Sequence, residues 1–253
     1  MIKGQEELFT KINSFTNETL PHSILLIGEV GSGKDEVCKY IADKFDLDLF
    51  DLTESISNEF IDQINQMQTR SLYVVDMQKI TIKDQNVMLK LYEEPSLSTY
   101  LILKSTTDYG PIDTILSRSY ILKMKNFSKD LLESLIESDN KDYVLKICST
   151  PGQIELANHT DMEKLKQLCD TMATKIETAP FFNVMSIADK INFSDNYDKF
   201  DLLLFIKALS QSCLEFNNYK VYKNLKQLDK FIWNMNNKKA YFEHFLIESW
   251  NKH

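Results

Sequence analysis

Gly28-Glu-Val-Gly31-Ser-Gly33-Lys34 follows directly on the apolar run Ser23-Ile-Leu-Leu-Ile27 and precedes Val37, Tyr40, Ile41 and Phe45 at helical spacing. A short buried strand that ends in G-x-x-x-x-G-K and opens a helix is the most restrictive pattern in the chain. Three of the six glycines fall within this loop. Such a loop turns backbone N–H groups and a helix N-terminus towards phosphate oxygens, while its lysine reaches the β- and γ-phosphates. The plainer alternative is a glycine-rich turn that only joins strand to helix.

The pattern around the loop alternates. Residues 47–52 alternate apolar side chains with Asp, 60–67 have helical period, and Leu72-Tyr-Val-Val75 is a β-rich run closed by Asp76. Residues 83–94 form an amphipathic helix stopped by Pro95, and 100–103 and 120–122 supply two further strands. This β-α alternation predicts a mainly parallel, doubly wound sheet up to about Lys125. Beyond it the strands stop. Three short helical pieces, 128–137, 142–148 and 152–158, precede five longer ones at 162–176, 181–191, 198–216, 219–235 and 240–250. Pro151 near the start of the third short piece is a helix-start signal. The expected fold class is α/β then all-α, with a core at 1–125, a small helical lid at 126–160 and a helical domain at 161–253. Leu202, Leu203, Phe205, Ile206 and Leu209 offer more apolar face than one small bundle needs, which marks the last segment as an assembly domain.

Composition narrows the class further. With 253 residues, 43% of them hydrophobic, the chain can bury one large core or two to three small ones. Lys and Arg number 29 against 37 Asp and Glu, a formal net charge of −8, whereas an autonomous DNA-binding module carries a basic footprint. No apolar stretch approaches a membrane span and no leader is legible, so a cytoplasmic location is expected. Cys38, Cys148, Cys169 and Cys213 are scattered with no C-x-x-C pair, so they read as reduced packing residues rather than zinc ligands. Trp233, Trp250, Phe242 and Phe245 read as bundle core rather than a base-stacking platform, and the lysine-rich 220–230 as a solvated face. Only Arg70 and Arg118 are arginines, and the fixed guanidinium fork singles them out among so many lysines.

Two positions depart from a working nucleotide site. After Lys34 a Ser or Thr should ligate Mg²⁺, but the residue is Asp35. Two unit charges about 4 Å apart at an effective dielectric near 20 interact by ~4 kcal/mol, unfavourably for a carboxylate beside phosphate. Equally, Asp35 reads as an ordinary first-turn acid at a helix N-terminus. Asp76 is where a metal-positioning carboxylate belongs, or is only a strand-end turn residue, and the residue after it is Met77, a thioether that cannot act as base. The chain is therefore not expected to hydrolyse nucleotide efficiently in its own pocket.

Asp76-Met-Gln-Lys-Ile-Thr81 followed by Gln85-Asn-Val-Met-Leu-Lys-Leu-Tyr-Glu-Glu-Pro95 closely resembles the run after the second nucleotide motif in bacterial clamp-loader AAA+ subunits. Thr99-Tyr-Leu-Ile-Leu-Lys-Ser-Thr-Thr107 is similar to their fourth strand with its sensor threonine, here Thr106 or Thr107. Ile115-Leu-Ser-Arg118-Ser119 resembles their Ser-Arg-Cys motif with its last residue changed, and Leu20-Pro-His-Ser-Ile-Leu-Leu-Ile-Gly28 matches their lead-in to the loop. Gln153 stands where ATP-responsive members carry a second-sensor Arg. Degraded nucleotide motifs beside an intact Ser-Arg-x point, within the family, to its delta-prime branch, in a reduced form without a four-cysteine zinc module.

The resemblance implies an AAA+ core, lid and collar, and a stator role in a DNA polymerase III clamp loader. Arg118 would be an arginine finger acting in trans on a neighbour's nucleotide. Gly28, Gly31, Ser32, Gly33, Lys34, Asp35 and Asp76 would form a degenerate nucleotide site, with Thr106, Thr107 and Gln153 sensor-like. It implies gamma/tau-like motor and delta-like partners, a sliding clamp, and primer–template DNA met through the assembled complex. ATP or ADP with Mg²⁺ at the degenerate site is the one cofactor left open, with no zinc. The competing reading is an active P-loop NTPase or nucleotide kinase using Gly28 to Lys34 and Asp76 in cis.

Overall fold

The computed structural model describes residues 2–52, 56–66, 69–93, 97–107, 111–193, 199–233 and 237–250. Two compact units divide the chain, Met1–Phe127 and Ser128–His253. In the first, α1 (Glu6–Ser14) leads into β1 (Ser23–Ile27), α2 (Lys34–Phe45), β2 (Asp48–Asp51), α3 (Asn58–Gln66) and β3 (Ser71–Asp76). Then come α4 (Ile82–Glu93), β4 (Thr99–Ser105), the single turn α5 (Asp113–Leu116) and β5 (Tyr120–Lys123). The five strands form one parallel sheet in the order β2-β3-β4-β1-β5. The expected α/β core is thus present with its strands where the pattern put them.

Both faces of the sheet are covered, so β1, β3 and β4 read as near-continuous apolar runs instead of alternating ones. Their alternate residues split between two clusters. Ile24, Leu26, Leu72, Val74, Tyr100 and Ile102 pack with Leu8, Phe9 and Ile12 of α1 and Val37, Cys38 and Ile41 of α2. Leu25, Tyr73, Val75, Leu101 and Leu103 pack on the other side with Ile61, Ile64, Met88 and Leu91 of α3 and α4. Helix α2 stops because Asp46 adopts a left-handed conformation (φ 53°), which turns the chain into β2. Helix α4 starts on a reciprocal cap: Thr81 N–H and Oγ1–H donate to Asp84 Oδ2, and Asp84 N–H donates back to Thr81 Oγ1. Pro95, expected to stop it, lies outside the described residues, as does Glu94.

Helix α1 had no counterpart in the sequence pattern, and it ties the unit shut. Gln5, just before it, is buried; its Nε2 donates to Lys125 O at 2.7 Å and its Oε1 accepts from Lys125 N–H at 2.8 Å. Glu7 adds an ion pair to the Lys125 ammonium.

The second unit runs α6 (Lys129–Ser134), α7 (Lys141–Ile147), α8 (Pro151–Asn158), α9 (Met162–Lys175), α10 (Phe181–Met185) and a 3₁₀ turn at Ser186–Lys190. It continues through α11 (Leu202–Glu215), α12 (Tyr219–Ile232) and α13 (Lys238–Trp250). The expected lid and helical domain, 126–160 and 161–253, both fall almost wholly within this unit. Strands do not stop altogether: Ile191–Asn192 and Phe200–Asp201 form a minimal parallel pair. The expected helix at 181–191 divides into α10 and the 3₁₀ turn. The start of the one expected at 198–216 lies outside the described residues, and α11 begins only at Leu202, where the Asp201 carboxylate caps Leu203 and Leu204 N–H. Leu202, Phe205, Ile206 and Leu209 are buried among α9, α12, α7 and α8. The apolar surplus of α11 is therefore consumed inside the unit and lends no weight to an assembly role. The tryptophans are half-buried with their indole N–H groups tied, Trp233 to Asp229 and Trp250 to Ala179 O. Phe242 and Phe245 are core.

The Gln5 clamp makes a simple prediction. Gln5→Ala removes both bonds to the Lys125 N–H and C=O and should destabilise the unit by roughly 1–2 kcal/mol. Gln5→Glu, which accepts but does not donate, should lose about half of that. Urea midpoints at constant slope would check both.

Candidate functional site

The loop after β1 sits at the carboxyl edge of the sheet, where ligands of open parallel sheets bind. Its shape depends on glycine at two points. A Cβ on Gly28 would lie 2.7 Å from Ser32 Oγ and 2.9 Å from Met124 Sδ. Gly33, the N-cap of α2, has φ +93° and leaves no room for a Cβ beside Ile2. Ser32 does not face outward; it is buried, its hydroxyl pointing at Met124 Sδ at 3.1 Å. Lys34 is folded back, its ammonium donating to Gly28 O at 2.6 Å and Glu29 O at 3.0 Å. Burial pulls its pKa below the ordinary lysine value, against Asp76 and Asp35, which favour the charged form.

Asp35 neither stands bare beside the loop nor serves only the helix terminus. Its Oδ1 accepts from Lys104 Nζ at 2.7 Å. Lys104 comes from β4, where its side chain is 11% exposed. Burial alone would depress this ammonium, but the hydrogen bond and charge of Asp35, with Asp51, hold its pKa above the ordinary lysine value. Asp76 pairs in register with Lys104 across β3 and β4, and its Oδ1 accepts from Gln78 N–H at 3.0 Å, closing the turn after the strand. Gln78 Nε2 in turn donates to Thr106 Oγ1 at 3.0 Å. Thr107 is exposed, its carbonyl accepting from Ser105 Oγ. Met77 is buried in the cluster between the sheet and helices α3 and α4.

These residues suit a phosphate-binding backbone and do not fit a divalent metal. The carboxylate nearest the metal position is already paired, and a dication about 4 Å from the Lys104 ammonium would be repelled by roughly 8 kcal/mol at an effective dielectric of 20. No side chain at the Met77 position can take a proton from water.

At the opposite edge, Arg118 follows α5 and precedes β5. Because Tyr120 pairs with Ile24, Arg118 lies before the amino ends of the strands while Gly28 lies beyond the carboxyl end of β1. At about 3.3 Å rise per residue the two are roughly 15–20 Å apart. Arg118 is exposed; its Nη1 donates to Thr114 O at 3.2 Å, and among the described residues it makes no ion pair. Its turn is anchored by a hydroxyl relay, Ser119 Oγ to Ser23 Oγ at 3.0 Å and Ser23 Oγ to Tyr92 OH at 2.9 Å. The other arginine is structural: Arg70 donates to Asn17 Oδ1 and lies over the Tyr100 ring. In the second unit, Gln153 is buried, its Oε1 accepting from Ser149 N–H and Oγ–H.

Residues 50–128, which span β2 to β5, match the family described as DNA polymerase III, delta subunit. Over these residues, under half of its length, the chain is similar to that family. Solved structures agree at the level of fold. A DNA polymerase III gamma subunit-related protein of Thermotoga maritima is 18% identical over 98% of both chains, with a TM-score of 0.52. The RuvB Holliday junction branch migration motor of the same organism is 13% identical over 90% of this chain and 77% of its own, TM-score 0.52. No curated protein matches the sequence. The family match includes Asp76 and Arg118 but not the glycine loop.

Sequence reasoning passed over Lys104, Gln78 and the Ser23–Tyr92–Ser119 relay. A lysine near the end of the otherwise apolar Leu-Ile-Leu-Lys run was the legible sign of the first. The relay gives a second prediction. Read from denaturant unfolding, Tyr92→Phe and Ser23→Ala should each cost about 1 kcal/mol, because Ser23→Ala strands the Tyr92 hydroxyl while Ser119 Oγ keeps its bond to Ile115 O.

Proposed function

We propose that this protein is a delta-prime-like stator of a DNA polymerase III clamp loader, with little or no ATPase of its own. One observation carries the reading: the exposed Arg118, which makes no ion pair among the described residues, lies at the edge of the sheet away from its own phosphate loop. An arginine so placed has no part in chemistry in cis, but it is free to enter a neighbour's pocket. Its permanent charge and planar fork suit a transferring phosphoryl group, and fingers supplied in trans are worth roughly 10³–10⁵ in rate for P-loop enzymes. The hydroxyl relay through Ser23 holds the turn that carries it.

The loop supports the same division of labour. Asp35 is occupied by Lys104, Met77 is in the core and Gln153 is folded on Ser149, so the positions that would bind metal, activate water or sense nucleotide are each otherwise engaged. This disfavours the reading as an NTPase or nucleotide kinase. The stator would assemble with gamma/tau-like and delta-like subunits through a collar at 161–253. It would meet the sliding clamp and primer–template DNA within that complex, in the cytoplasm. No helix among the described residues is long and apolar enough to cross a membrane.

Two outcomes are expected. The isolated protein should show no ATP turnover above background, and Lys34→Ala should not alter that; turnover that vanishes with Lys34→Ala would favour the NTPase instead. In a reconstituted complex with a motor subunit, clamp and primed DNA, Arg118→Ala should leave assembly intact and slow hydrolysis at the neighbouring site by at least about a hundredfold. Arg118→Lys should recover only part, because an ammonium keeps the charge and loses the fork. Unchanged DNA-stimulated ATPase with Arg118→Ala at full occupancy would remove the finger role.

A further inference from the structure

We infer that the Lys104 ammonium stands in for the divalent cation of an ordinary phosphate loop, and that with Asp35 it makes this site refuse the metal. The inference rests on the reading of the loop as degenerate, and goes beyond it by naming the device and the ligand chemistry that follows.

The charges at the carboxyl edge form a closed set. Lys34 faces Asp76 and Asp35, while Lys104 faces Asp35 and Asp51. Asp35 occupies the position from which a hydroxyl would ligate the metal, and among the described residues the cation on its oxygen is the Lys104 ammonium at 2.7 Å. The Lys104 side chain rises from a strand buried along its whole length, and its ammonium is received by Asp35, with Asp51 also favouring its charge. The pair is a charge exchange made at two positions at once. Asp35 alone would set a carboxylate against phosphate, and Lys104 alone would bury an unpaired ammonium. Together they leave the loop with a fixed monovalent cation where a mobile divalent one belongs.

The ligand consequence is specific. A phosphate group that the loop amides accept displaces the Lys34 ammonium from Gly28 O and Glu29 O, and arrives without metal. Nucleotide binding, weak or undetectable, is then indifferent to Mg²⁺.

The test uses the intact isolated chain, with fluorescent ADP titrated in Mg²⁺ and in EDTA, and thermal melting with Mg²⁺ alone. The wild type should bind equally in both buffers, or in neither, and Mg²⁺ should not shift its melting. Lys104→Met keeps the apolar stem and frees Asp35, so it should acquire a melting shift with Mg²⁺. Asp35→Thr combined with Lys104→Met should bind ADP at least about tenfold more tightly in Mg²⁺ than in EDTA. A wild type that binds ADP tenfold more tightly in Mg²⁺ overturns the inference, as does a double variant that melts cooperatively and remains indifferent to the metal. Neither result touches Arg118, whose role is read from the neighbour's rate, so failure here is separable from failure of the stator reading.

Discussion

Strand β1 carries hydrogen-bonded ladders on both edges and apolar packing on both faces, and its two ends hold the glycine loop and the arginine turn. Its carboxyl end passes through Ile27 into the glycine loop. Its amino end presents Ser23, whose hydroxyl ties the arginine turn to α4. A central parallel strand is the most constrained place in such a sheet, so the loop and the arginine turn are held at a fixed separation. An arrangement that puts a phosphate loop and an arginine at opposite edges of one subunit makes most sense where subunits stand side by side, each facing the next with the other edge.

The loop keeps its backbone geometry while its side chains are engaged elsewhere. Its glycines, its helix and the strand register are all in place, because they are needed for backbone geometry. The functional side chains have been turned to structural ends: Lys34 satisfies carbonyls of its own loop, Asp76 closes a turn, Met77 fills the core. An ion pair with one buried partner, Lys104, and one exposed one, Asp35, contributes little net stability and provides fixed local charge.

The alternation of apolar runs and helical periods was enough to place every strand of the first unit, because buried parallel strands and amphipathic helices leave distinct periods. Helix α1 escaped since it is nine residues long and follows no strand, and its main contribution, the Gln5 clamp on Lys125, joins residues far apart in the chain. The site was half legible. The glycine loop, Asp76 and Arg118 announce themselves by motif, but the partner of Asp35 lies 69 residues away and no local rule joins them. The same holds for Gln153, whose burial on Ser149 depends on how α8 is capped. The apolar face of α11 misled for the opposite reason: composition reports how much surface wants cover, not which neighbour supplies it.

The order of the strands also governs how the chain must be made. A ribosome delivers β1 early, yet the segments that flank it, β4 and β5, emerge only after roughly another 70 to 100 residues. At about 5–20 residues per second this leaves Ser-Ile-Leu-Leu-Ile with both edges open for roughly 4–14 s. For that interval the central strand of the future sheet is a bare template for pairing with any other extended chain. Its brevity, five residues between a proline-containing lead-in and a glycine-rich loop, is what keeps the nascent protein from being trapped there.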